Sequence, residues 1–67
     1  MLTELRVTFA SIGAFERVRA ESTEQIEYAD SVALELDFVV FGNREANSDF
    51  IDWLRDNGAV GIKDCEV

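Results

Sequence analysis

Apolar and polar residues alternate at the start of the chain, and this alternation predicts a β-strand. In the stretch LRVTF, residues 5–9, every second position is apolar, which is the period of a half-buried strand. Residues 11–14 then predict a turn, because Gly13 is free to take a positive φ. Residues 15–21 are predicted to return as a second strand, with its apolar and basic side chains on opposite faces.

The next segment predicts a first helix over residues 23–30. Ser22 and Gln25 have the spacing of a capping box, and Glu24 would lie near the positive end of the helix dipole. A single helix through residues 15–31 is the competing interpretation, since apolar residues recur there with helical spacing. We favour the hairpin followed by a helix, because Ser22 has the character of a new helix start.

The second half of the chain predicts a strand, a helix and a final strand. The sequence VALELDFVVFG, residues 32–42, is apolar on both faces towards its end, as expected for a central strand that is covered on each side. Residues 45–57 have the apolar face of an amphipathic helix, and residues 59–67 predict a strand. We therefore expect an α+β fold: a small, mostly antiparallel sheet of three to four strands with two helices, in the order ββαβαβ.

Length and composition indicate a single compact domain over residues 1–67. A chain of about 60 residues buries only about 60% of its unfolded surface, but 48% of this chain is hydrophobic, enough for a small core. The single cysteine, Cys65, excludes an intramolecular disulfide and fits a reducing cytoplasm. There is no apolar run of about 20 residues and no signal-peptide pattern at the N-terminus. We expect a cytoplasmic protein.

Negative charge is concentrated in residues 24–67. The net charge of the chain is −8, and residues 1–23 contribute nothing to it because their three acids and three bases cancel. This charge argues against direct binding to nucleic acid or to anionic membranes, which would repel the chain.

Four acids form a row on the second predicted helix. They are Glu45, Asp49, Asp52 and Asp56, and helical geometry places them within a band of about 60°, roughly opposite the apolar face. Like charges at this spacing destabilise an isolated helix, so local stability does not explain the row. It is either the solvated face of an amphipathic helix or a surface that imitates the phosphates of DNA.

Five further acids are candidates for the same partner-binding surface. A shorter row with a spacing of three is expected on the first predicted helix, and two acids of the central strand would extend the field if that sheet face is exposed near it. These five residues are Glu24, Glu27, Asp30, Glu35 and Asp37.

A very small, acidic α+β protein with such rows resembles the DNA-mimic inhibitors of phages and mobile elements, which include anti-CRISPR and anti-restriction proteins. The resemblance is to the class and rests on the two rows of acids. It implies a partner with a basic DNA-binding groove, for instance a CRISPR surveillance complex, in the host cytoplasm if the protein is phage-encoded. The carboxylates would occupy that groove and block DNA binding.

No enzymatic activity, cofactor or metal site is expected. The chain has no histidine, and the carboxylate pairs Asp49 with Asp52 and Asp64 with Glu66 are predicted to be exposed, without the burial that general acid–base chemistry requires. Trp53 is expected to anchor the core, at the edge of the apolar face nearest the acids. The alternative function is a noncatalytic interaction subunit or small homodimer, whose acidity reflects only solubility or a high-salt cytoplasm.

Overall fold

The computed structural model describes residues 1–65, which form one antiparallel sheet and two helices. The elements are, in chain order, β1 (Leu2–Phe9), α1 (Ile12–Glu21), β2 (Gln25–Asp30), β3 (Glu35–Phe41), α2 (Ser48–Asp56) and β4 (Ala59–Cys65). The strands lie in the order β2-β3-β1-β4, and every neighbouring pair is antiparallel. The predicted class, an α+β fold with two helices on a small antiparallel sheet, is confirmed.

The element order βαββαβ gives the split-βαβ, ferredoxin-like topology. β1 and β2 run parallel to each other, and β3 lies between them. Helix α1 therefore has to cross the sheet to connect the two strands, as α2 does between β3 and β4.

Both helices pack on one face of the sheet and form the core there. The inward side chains of β1 and β3 alternate with outward ones, as the period of two predicts. The fully or nearly fully buried apolar residues are Leu5, Val7, Phe9, Phe15, Val18, Leu36, Phe38, Val40, Ile51 and Leu54. Within residues 1–65 no helix covers the opposite sheet face, which we call the open face.

The prediction of a strand over residues 15–21 is wrong, because this segment belongs to α1. The hydroxyl of Ser11 caps the helix by accepting a hydrogen bond from the backbone N–H of Ala14 at 3.2 Å. Phe15 and Val18, three positions apart, are both buried, whereas Ala20 is exposed. The spacing of a helix face therefore describes this segment, and the alternation of a strand does not.

The prediction of a helix over residues 23–30 is also wrong, because residues 25–30 form β2 and pair with β3. The competing single helix through residues 15–31 fails for the same reason, since α1 ends at Glu21. The Ser22 hydroxyl accepts from the Glu24 backbone N–H at 3.1 Å, which makes a turn and not a capping box. Pairing with a long central strand outweighs the local helix signal in this segment.

The predictions for the second half are confirmed apart from their boundaries. β3 begins at Glu35, later than predicted, because residues 31–34 form a turn in which Leu34 takes a φ of 56°. The carboxylate of Asp30 holds that turn by accepting from the backbone N–H groups of Val32 and Ala33 at 3.0 and 3.1 Å. β4 matches the predicted final strand as far as Cys65, and residues 66–67 of that prediction lie outside the described part of the chain.

Two glycines provide a matched test of this packing. Gly58, with a φ of +101°, would bring an added Cβ to 2.7 Å from the Cβ of Ala14, whereas a Cβ on Gly13 would meet nothing within 4 Å. Gly58→Ala should therefore destabilise the protein by more than about 1 kcal/mol, and Gly13→Ala should stabilise helix α1 by up to about 1 kcal/mol. Urea unfolding followed by circular dichroism measures both; equal effects of the two substitutions would contradict the α2–β4 turn described here.

Candidate protein-binding surface on helix α2

Helix α2 carries three exposed acids on its outer side. Ile51 and Leu54 are buried against the sheet, so the side chains of Asp49, Asp52 and Asp56 point away from it and are exposed. The sequence predicts these three residues roughly opposite the apolar face of the helix, and their exposure confirms that placement.

Glu45, the predicted first member of the row, lies outside the helix. Residues 44–47 form a turn, and α2 begins only at Ser48. Two asparagines hold this turn: the side-chain oxygen of Asn43 accepts from the Ala46 N–H at 2.9 Å, and the Asn47 amide donates to the carbonyl of Phe41 at 2.7 Å. Glu45 is exposed next to the helix, but helical spacing does not align it with the other three acids.

None of the acids of α2 forms an ion pair within the described residues, although Arg55 lies on the same helix. The ion pairs found among residues 1–65 are those of Arg6 with Glu35 and Asp37 and that of Arg44 with Asp64. Asp49 lies in the first turn of the helix, where the helix dipole stabilises a negative charge. Asp56, the last residue of the helix, lies at the end where the dipole disfavours it. Helix stability accounts for Asp49 but not for Asp56.

The predicted row of Glu24, Glu27 and Asp30 does not exist as a row. These residues lie before and along strand β2, and a strand has a side-chain period of two, so a spacing of three does not align them. Glu27 is exposed at the register irregularity between Ile26 and Tyr28. Asp30 is half-buried and occupied by the turn hydrogen bonds to the backbone.

Glu24 nevertheless lies near α2, across a groove of about 410 Å³. We call this the α1–α2 groove; it is lined by Glu21, Thr23, Glu24, Asp49, Phe50 and Trp53. The rings of Phe50 and Trp53 stack with a centroid distance of 5.9 Å and an interplanar angle of 21°. The structure therefore brings one acid from each predicted row together beside an aromatic pair.

Two residues that line the groove, Glu21 and Trp53, are not among the residues predicted to bind a partner. The prediction of a strand over residues 15–21 does not place Glu21 beside the second helix. A helix N-cap signal at Ser11 would have moved it to the end of α1, next to the start of β2. Trp53 packs partly in the core, as predicted, and is also half-exposed in the groove.

Glu35 and Asp37 do not extend the acidic surface of α2, because both belong to the open face on the other side of the sheet. Asp37 is only 4% exposed; its carboxylate oxygens accept from Nε and Nη2 of Arg6 at 3.2 and 3.4 Å. The Nε of Arg6 also lies 3.2 Å from Oε1 of Glu35. The hydrogen bond with Asp37, followed by that carboxylate's charge, raises the pKa of Arg6 above its ordinary value.

A metal site, a catalytic carboxylate pair and a membrane-spanning helix would each require a particular arrangement of the described residues. Among residues 1–65, no three Cys, Asp or Glu side chains are positioned to hold a metal ion together. Asp49 and Asp52 are both exposed, as is Asp64, which pairs with Arg44; Glu66 lies outside the described part of the chain. No helix within residues 1–65 has the length and apolar character needed to cross a membrane.

Comparison with protein-family models, curated proteins and solved structures finds no match for this chain.

The Arg6–Asp37 contact predicts a stability coupling on the open face. Arg6→Leu should lower the melting temperature, because it leaves the carboxylate of Asp37 buried without a partner, and Arg6→Leu with Asp37→Leu should recover much of the loss. Lys63→Leu, a change of the exposed neighbour of Arg6 on β4, is the control and should have little effect. Thermal unfolding of the four proteins by circular dichroism tests this, and a double variant no more stable than Arg6→Leu would contradict it.

The α1–α2 groove predicts charge-selective quenching of Trp53 fluorescence. Trp53 is the single tryptophan, and three carboxylates line its groove. Because these carboxylates attract cations and repel anions, the ratio of quenching by caesium to quenching by iodide should be higher for Trp53 than for free N-acetyltryptophanamide. Glu24→Gln with Asp49→Asn should move the ratio towards the free value, whereas Glu16→Gln, an exposed position that does not line the groove, should not. An unchanged ratio in the first variant would show that these carboxylates do not surround the indole.

Proposed function

We propose that this protein binds a nucleic-acid-binding protein through an acidic surface and blocks its access to DNA. The acidic surface consists of Asp49, Asp52 and Asp56 of α2, with Glu45 beside the helix and Glu24 across the α1–α2 groove. The observation that carries the proposal is that the three acids of α2 are exposed and have no basic partner within residues 1–65. They are therefore free to pair with the bases of another protein.

The spacing of these acids suits a surface that normally receives DNA. Asp49 and Asp56 are seven residues apart, and the helical rise separates them by about 10 Å along the axis. One strand of duplex DNA presents about three phosphates over that length, at about 3.4 Å each. Arg and Lys side chains arranged for successive phosphates would therefore find carboxylates within reach.

Charge also favours the encounter kinetically. A chain with a net charge of −8 is steered towards a basic groove and away from nucleic acid itself. The partner would be a DNA-binding complex of the cytoplasm, of the kind that anti-CRISPR or anti-restriction inhibitors occupy, such as a CRISPR surveillance complex. The protein would act by occupying the groove and would need no catalytic residue.

Two charge reversals of equal size test the proposal. Asp52→Lys and Glu16→Lys both change an exposed acid on a helix, but only the first lies on the acidic surface. Asp52→Lys should weaken partner binding by at least about tenfold, since 1.4 kcal/mol is a factor of ten and an apposed like charge costs more. Glu16→Lys should bind nearly as wild type does.

The measurement is capture from a bacterial lysate at low salt, with elution by a NaCl gradient and identification by mass spectrometry. Circular dichroism in 0.15 M salt first establishes that each protein is folded, which separates lost binding from a requirement for high salt. One DNA-binding complex should be retained by wild type, displaced by duplex DNA and lost with Asp52→Lys. Capture of only abundant basic proteins, to the same extent by both variants, would refute the proposal.

A further inference from the structure

The open face of the sheet exposes large apolar side chains at one end. Phe41 of β3 is 81% exposed and Leu2 of β1 is 51% exposed, and the strand register places them directly opposite each other. Val39 lines a groove of about 660 Å³ beside them, and Tyr28 on β2 is 55% exposed. Large apolar side chains that reach solvent together, as those of Leu2, Val39 and Phe41 do at this end of the sheet, are typical of an interaction surface.

One row of residues across the open face contains side chains of both charges. The register aligns one residue from each strand in the order β2, β3, β1, β4: Tyr28, Asp37, Arg6 and Lys63. The acid lies on one side of the sheet's midline and the bases lie on the other. A two-fold axis that runs along the strands between β1 and β3 would exchange these sides.

We propose that the open face binds a second copy of this chain, packed face to face about such a two-fold axis. Each β1 then lies over β3 of the other copy. Leu2 faces Phe41 of the partner subunit, and Lys63 faces the aromatic ring of Tyr28 of the partner subunit, which is a favourable cation–π pairing. The internal Arg6–Asp37 ion pair of each copy lies over the same pair of the other copy in the opposite direction. The face is complementary to itself, which an isologous dimer requires.

Charge favours this face over the others for contact between two copies. Two chains of −8 repel each other, but Glu35 and Asp37 are already paired with Arg6 here. The acids of α2 lie on the helical side of the sheet and would point outwards in the dimer. Glu4 opposes the packing, because it would face Val39 of the partner subunit.

The size of the face sets the strength of the dimer. Four strands spaced by about 4.8 Å and seven residues rising about 3.3 Å each give a face of roughly 450 Å² per copy. Two copies would cover roughly 900 Å², near the lower limit of about 1,000 Å² for a specific interface. The dimer should therefore be reversible and form in the micromolar range or above.

Sedimentation equilibrium over a range of about 1 to 500 μM protein tests the association. The mass should rise from 7.5 kDa towards twice that value with increasing concentration. Phe41→Glu should weaken association at least tenfold, because each added carboxylate would face Leu2 of the partner subunit. Val32→Glu is the control: it adds the same charge at a 94% exposed position in the turn of residues 31–34 and should associate nearly as wild type does. A monomer at every concentration, or equal association of the two variants, would overturn the proposal.

A crosslinking experiment tests the orientation. Gln25 of β2 and Cys65 of β4 share one row, at opposite edges of the sheet, so the two-fold axis places Gln25 over Cys65 of the partner subunit at about the 10 Å spacing of packed sheets. Gln25→Cys with a short bismaleimide should give a covalent dimer, while wild type, whose only cysteine is Cys65, should not. Efficient crosslinking of wild type, or none with Gln25→Cys under conditions where the protein is dimeric, would overturn this arrangement.

Discussion

The antiparallel pairing of β1 with β3 organises the whole fold. Seven consecutive residue pairs join the two strands, from Leu2 with Phe41 to Thr8 with Glu35. Their inward side chains supply the floor on which both helices pack, and an edge strand joins each of them on its outer side. Because β3 occupies the position next to β1, β2 has to pair one place further out, and α1 has to cross the sheet to deliver it.

The two sides of this sheet differ in chemistry as a result. The helical side buries the apolar core and exposes the free acids of α2 at its outer surface. The open face has no helix over it within residues 1–65, and its buried carboxylate, Asp37, is held by Arg6. A dimer through the open face would leave both acidic surfaces exposed, on opposite outer sides. Such a dimer could engage two basic grooves at once, or two sites on one large partner if their spacing allowed it.

The acids of the acidic surface do not, taken together, stabilise helix α2 itself. Asp is a mediocre helix former, and Asp56 lies at the negative end of the dipole of α2. The packing of Ile51 and Leu54, with the aromatic stack of Phe50 and Trp53, stabilises the helix in spite of these charges. The groove beside that stack also gathers Glu21 and Glu24 near Asp49, so acids that are distant in sequence join the same field.

Local sequence patterns are sufficient for the elements whose hydrophobic periodicity is strong and agrees with their tertiary pairing. The alternation in β1, the apolar run of β3 and the amphipathic face of α2 predicted these three elements, and with them the fold class and the exposed positions of Asp49, Asp52 and Asp56. The order of helix and strand within residues 12–30, in contrast, depends on tertiary contacts. There the local signals of Ser11 and Ser22 compete, and strand pairing of β2 with β3 overrides helix propensity. The same holds for Asp37, which alternation predicted to be an outward acid: Arg6, 31 positions away, neutralises it, and that contact depends on a strand register that no local pattern specifies.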